Sequence, residues 1–276
     1  MSRRLFCEIN PLFYFLSLKK EIFIRQIENY LFDKKIAVER NENEKLPEIV
    51  KSHFSILLRK LEGVDIQLQI NKVQNIKIAA SKLNGLLIRP GETFSFWKLV
   101  KAPSKRRGYK KGLVIKKNAF GSDYGGGLCQ LANLIHFLVL NSPLTVTELH
   151  HHSDALFPDD RRRVPFGTGT SICYNMLDYR FKNTTDQTVQ LFVWIENEDL
   201  CGELRCEKQF PFRYKIVEEN HHFAKEESDW FRNSQIYKIT IDRSSNKEIR
   251  KELILNNHSK VLYNSQLIPK DQIRQG

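Results

Sequence analysis

Gly121–Asn141 reads GSDYGGGLCQLANLIHFLVLN, and its second part, LCQLANLIHFLVLN, is too long and too continuously apolar for a surface helix. It predicts a helix buried inside the fold and closed by Pro143. The glycines ahead of it, Gly125, Gly126 and Gly127, reach backbone conformations closed to other residues, so chain or ligand can approach closely there.

Working outward, GLLIRPGETFSFW reads as two short strands joined by a turn at Pro90-Gly91. Upstream of it, NIKIAASKLNG has helical spacing, with Gly85 suited to the C-terminal cap, and DIQLQI alternates like a half-buried strand. FLSLKKEIFIRQIENYLF and PEIVKSHFSILLRKL read as helices separated by the polar loop ERNENEK. Downstream, SICYNM, LDYRF, QTVQLFVWI and GELRC read as strands, and YKITID and KELIL continue the style around RSSN. The expected fold is α+β: a helical N-terminal region (1–64), a core (65–206) with the buried helix on a mainly antiparallel sheet, and a charged β-rich extension (207–276).

The chain has 276 residues, 41% hydrophobic and 11% aromatic, which excludes a largely disordered protein. Its net charge of +12 is partly concentrated in KLVKAPSKRRGYKKGLVIKK, Lys98–Lys117, which holds no acidic residue. That segment is either a solvated loop face or an anion-binding patch, with Arg106 and Arg107 as candidate contacts. No nucleic-acid motif accompanies it, so nucleic acid is not an expected partner. The five cysteines show no repeated pairing, which favours reduced thiols. The apolar patch PLFYFLSL ends at Lys19 and Lys20 after about a third of the roughly 20 residues a membrane span needs. No small-residue cleavage site follows it, so neither a signal peptide nor a span is expected, and the default location is the cytoplasm.

Cys129 falls in the first turn of the buried helix if that helix starts near Leu128. There the helix dipole and unpaired amides would stabilise a thiolate and lower its pKa, although a cysteine among leucines also reads as a core residue. TVTELHHHSDALFPDD follows, and on a strand His150 and His152 share a face that His151 opposes. A nucleophilic thiol needs a base and a group that orients it. His150 or His152 is the candidate base, Gln130 with the glycine amides the candidate oxyanion site, and Asp178, Asn183, Asp159 or Asp160 the candidate orienting group. Cysteine, then histidine, then Asp or Asn is also the chain order of papain-like and transglutaminase-like enzymes. Zinc held by Cys129, the histidines and Cys173, Cys201 or Cys206 is a further reading, poorly matched in spacing.

With these residues in view, the chain resembles the VanW family over roughly Asn75–Arg205. The likeness rests on NIKIAASKLNGLLIRPGETFSFWKLV, GGGLCQLANLIHFLVL, ELHHHS and LDYRFKNTTDQTVQLFVW, in that order. It implies an association with the bacterial cell envelope and glycopeptide resistance and names no biochemical activity. Relatives often carry Gly-x-Asp-Ala-Thr after the histidines, where FGTGTSI here has Gly169 in place of the aspartate.

Three functional readings follow. The first is thiol-dependent acyl transfer or hydrolysis on a peptide or wall-related amide. The second is a non-catalytic module, in which Gly125–Gly127, Ser95 and Tyr124 shape a pocket for a cell-wall precursor and Arg106 and Arg107 capture its anionic groups. The third is a zinc site. No cofactor is expected, and the oligomeric state is left open.

Overall fold

The computed structural model describes residues 10–32, 35–58, 65–116, 119–151, 154–155, 158, 164–165 and 167–274. At its centre is helix α4 (Leu128–Leu140), which starts where the glycine run predicts and buries Leu131, Ala132, Ile135, Leu138 and Val139 completely. Helix α2 (Ile66–Leu83) packs beside it. Both lie against a four-stranded antiparallel sheet in the order β1 (Glu48–Ile56), β10 (Asp199–Cys206), β9 (Val189–Glu196), β2 (Leu86–Ile88). One continuous apolar core joins these layers, from Ile76 and Leu83 through Leu131 and Leu138 to Leu191 and Leu204. The α+β class therefore holds, with a mainly antiparallel core sheet and a β-rich C-terminal half.

Two segments ahead of β2 differ from the sequence expectation. Glu48–Ile56, expected as part of a helix, is an antiparallel edge strand on β10. Ile49 and Phe54 face solvent on this strand while Val50 packs on the core, so apolar residues occupy both faces and mimic helical spacing. DIQLQI, expected as a strand, opens α2 instead: the Asp65 side chain accepts from the Gln67 N–H at 2.8 Å and caps the helix. Ile66 and Ile70 point to solvent while Gln69 and Lys72 are buried, a reversal of the usual polarity that makes the alternation misleading. Gly85 follows the helix at φ +72°, in the left-handed region expected of a C-terminal glycine.

The Pro90-Gly91 turn separates β2 from β3 (Thr93–Ser95), as expected. β3 pairs with β8 (Arg180–Lys182), which pairs with β6 (Thr145–Glu148) in a small three-stranded sheet. SICYNM, expected as a strand, instead enters a turn closed by a Cys173–Leu177 bridge, with Asn175 at φ +60°. The basic segment is a loop only in part. It runs from helix α3 (Phe96–Val100) through a 3-10 turn at Lys105–Arg107 into β4 (Lys111–Lys116), which pairs with β5 (Ala119–Tyr124).

The last third of the chain forms a second sheet from three long antiparallel strands, β11 (Phe212–Glu226), β12 (Asp229–Asp242) and β13 (Glu248–Val261). The short strand β7 (Asp154–Ala155) joins its edge in parallel, and Ala155, Phe223, Val261 and Ile268 make a small cluster of their own. Helix α1 (Pro11–Phe32), predicted from its apolar spacing, is tied to the core by Arg25 and Asn29. Among the described residues, no helix is long and apolar enough to cross a membrane.

Candidate functional site

The end of β3 is the hinge of the site. Ser95 caps α3 by accepting from the Lys98 N–H at 3.3 Å, and its hydroxyl donates to Asp178 Oδ2 at 2.5 Å. Asp178, almost fully buried, also accepts from the Trp97 and Tyr179 N–H groups at 3.0 and 2.9 Å and from Arg180 Nε at 2.8 Å. A buried carboxylate survives only when so matched.

Glu148, at the end of β6, is the second hub. Its Oε2 receives Arg25 Nη2 at 2.6 Å and lies 3.2 Å from Arg180 Nε, while Oε1 accepts from His150 Nε2 at 3.0 Å and the Asp178 N–H at 2.9 Å. Burial alone would raise the Glu148 pKa. The hydrogen bonds from Arg25, His150 and the Asp178 amide outweigh it and hold the carboxyl below its ordinary range. Arg180 also donates to Asn29 Oδ1 at 2.5 Å, so α1 is clamped to the network at two points.

Beside this network opens a cavity of ≈ 230 Å³. Trp97 and Tyr174 form an aromatic wall, with ring centroids 5.6 Å apart in an edge-to-face arrangement, and the Trp97 indole N–H is fixed by the Leu177 carbonyl at 2.8 Å. Arg25, Lys98, Asp178 and Arg180 line the rest with Asn29 and Asn175. Arg25 and Arg180 are matched by Glu148 and Asp178, and Lys98 adds a third cation to the lining. The cavity is suited to a small ligand with an apolar or amide face and an anionic group.

The structure thus brings Ser95, Asp178 and His150 together around Glu148. It places the other predicted residues elsewhere. Cys129 opens α4, as expected, but its sulfur is hydrogen-bonded to the Ile172 carbonyl at 3.9 Å. Burial pushes the thiol up, and the Ile172 contact offsets only part of this, so the direction is opposite to the expected activation. His150 faces Glu148 and His151 Nδ1 lies 3.2 Å from the Gly167 carbonyl, so neither imidazole is hydrogen-bonded to the sulfur. His152, Asp159 and Asp160 lie outside the described residues, as does the Phe166 that opens FGTGTSI.

Gln130, expected as an oxyanion donor, spends both amide protons on Ser55 Oγ and the Ile56 carbonyl at 2.7 and 2.8 Å, which anchors the end of β1. The glycine run has a packing reason. Gly127 sits at φ +93°, and a Cβ there would lie 2.0 Å from Lys72 Cγ; one on Gly126 would lie 2.2 Å from the Gly112 backbone. Asn75 holds this loop, donating to the Lys110 and Gly126 carbonyls and accepting from the Lys110 N–H. Arg106 and Arg107 are exposed on the 3-10 turn, where Arg107 also donates to the Ala102 carbonyl, and Tyr124 is half-buried on β5. Asn183 is spent on the backbone of Ile88 and Gln187. Among the described residues, no three His, Cys, Asp or Glu side chains gather where they would hold a metal ion.

Sequence reasoning missed Arg25, Arg180, Trp97 and Tyr174, and gave Glu148 no role. The signal available was the Glu148 of ELHHHS and the Asp178-Tyr179-Arg180 of LDYRF, two acid-bearing segments that pair as β6 and β8.

The model of the VanW-like protein family matches residues 71–205. The chain is 33% identical over 201 residues to the vancomycin B-type resistance protein VanW of Enterococcus faecalis, an alignment covering 73% of each chain. It is also 26% identical over 119 residues to the uncharacterized protein YoaR of Bacillus subtilis, covering 43% of this chain and 38% of that one. No solved structure matches it.

Proposed function

The chain belongs to the VanW family, and from that premise we propose that it serves in glycopeptide resistance as a binding module for an anionic peptide precursor of the cell wall. The observation that carries this reading is the cavity walled by Trp97 and Tyr174 and edged by Lys98, Arg25 and Arg180. Edge-to-face aromatics supply a rigid surface for an alanine side chain or amide plane, and the cationic edge receives a terminal carboxylate. The rigid ion network under the cavity presets these groups, which lowers the ordering cost of binding.

The thiol-dependent alternative is less well supported. The Cys129 thiol is raised rather than activated, and the neighbouring amide expected to stabilise an oxyanion is committed to β1. Binding therefore comes first in this account, and turnover is not required of Cys129.

The test is calorimetric titration of the full chain with UDP-linked muramyl pentapeptide. Lys98→Glu and Tyr174→Ala should each weaken binding about tenfold or more, equivalent to about 1.4 kcal/mol, while Cys129→Ser leaves it unchanged. Release of an amide product that depends on Cys129, or absence of binding to the unaltered chain, overturns the proposal.

A further inference from the structure

A second cavity, of ≈ 240 Å³, lies where the C-terminal half of α4 and strand β6 face β12 and β13. Its walls are mostly aliphatic, including Leu140, Leu144, Val146, Ile236 and Leu255. The titratable groups on its lining are all basic: His136, His151 and Lys238, with no carboxylate among the described lining residues. A largely apolar chamber with a few convergent polar groups is the usual composition of a small-molecule site.

The protons of this cluster can be placed. His136 is 1% exposed, and its Nδ1 lies 3.1 Å from the hydroxyl of the fully buried Tyr179. That nitrogen is the phenol's one hydrogen-bond partner among the described residues, so the phenol donates to it and the imidazole proton sits on Nε2. Nε2 has no hydrogen-bond partner among the described residues. Burial, with His151 and Lys238 nearby, holds His136 down to about 3, so the ring is a neutral donor at working pH.

Lys238 Nζ donates one proton to the Ser142 carbonyl at 2.8 Å and rests 4.4 Å from the Tyr214 ring centroid on β11. It is held down to about 8 by burial, against the opposing pull of Glu252 on β13. A half-buried ammonium and an imidazole N–H at the same mostly apolar cavity, with no carboxylate on its described lining, form an incomplete polar arrangement. A guest anion would complete it.

We propose that this cavity binds a small aliphatic acid, its chain against Leu140, Val146 and Leu255 and its carboxylate between His136 Nε2 and Lys238 Nζ. A neutral hydrocarbon leaves both donors unmatched, and a short polar anion leaves the aliphatic walls empty. The volume falls below the roughly 300–1,000 Å³ of drug-sized sites, which limits the guest to a short chain. The acid is either a free molecule or the acidic end of a larger acylated one, because the recognised chemistry is the same.

The test is calorimetric titration of the full chain with sodium octanoate at pH 7, with octanol and acetate as separate arms. Octanoate should bind with Kd below about 1 mM, and octanol and acetate at least about tenfold more weakly. Lys238→Met should weaken octanoate about tenfold and leave octanol unchanged. Ile254→Trp, at a partly exposed wall position that tolerates a larger side chain, should block both. Octanoate binding equal to octanol, unaffected by Lys238→Met, or absent from the unaltered chain overturns the assignment. A carboxylate with a bulky amide in place of its chain methyl end separates the two sources: binding retained points to an acylated molecule, and binding lost to a free acid.

Discussion

Replacing Glu148 by Gln removes the charge on which Arg25, Arg180 and His150 converge. The carboxylate accepts at 2.6 Å from Arg25 and at 3.0 Å from His150, and both Glu148 and Arg25 side chains are about 15% exposed (15% and 16%), so solvent screens the pair weakly. Removing one partner of a buried ion pair costs about 3–5 kcal/mol; the residual exposure and the oxygen retained by Gln reduce this to about 2–4 kcal/mol. For a chain of this size that lowers Tm by on the order of 3–7 °C. The pH dependence has a definite sign. The folded-state pKa of Glu148 lies below the ordinary 4.5, so its stabilisation is present above that value and is lost as pH falls through the folded pKa. Urea unfolding of the two proteins at pH 7 and at successively lower pH should therefore show a gap that is full at neutrality and closes below about 4.5. A gap under about 0.5 kcal/mol at pH 7, or one unchanged on acidification, refutes the view that this carboxylate holds the network together.

Two other outcomes follow from the same geometry. Iodoacetamide at neutral pH, mapped by peptide mass spectrometry, should modify exposed Cys173 about tenfold or more faster than Cys129, whose thiol is raised by burial; the reverse order would restore an activated Cys129. Asn75→Ala strips partners from Lys110 and Gly126 and should cost about 2–3 kcal/mol in urea unfolding, an effect that Asn71→Ala, on the exposed side of α2, should not reproduce.

The parts of the fold legible in the sequence are those where one physical signal dominates. Helix α4 announces itself because it is apolar all round, and β9 and β12 because β-branched and aromatic runs are bounded by turn clusters. The edge strand β1 is misread because its apolar residues lie on both faces, and the start of α2 because its apolar residues face solvent. The site is half legible for a related reason. Ser95, Asp178 and His150 stand in recognisable segments, but Arg25 reaches Glu148 from 123 residues away and Ser95 reaches Asp178 across 83, and no local pattern encodes such pairings. The cysteine is conspicuous in the sequence through its glycines, which the structure explains by the close approach of β4 and Lys72.

The central claim is that the Trp97–Tyr174 cavity receives a peptide carboxylate. The chain has three tryptophans, Trp97, Trp194 and Trp230, so the indole N–H resonances of the 15N-tryptophan-labelled protein report separately on this cavity, the core sheet and the C-terminal sheet. On titration with UDP-linked muramyl pentapeptide, the Trp97 signal is predicted to move saturably while those of Trp194 and Trp230 stay fixed. A Trp97 resonance that does not respond, or a shift confined to the other two, contradicts the account.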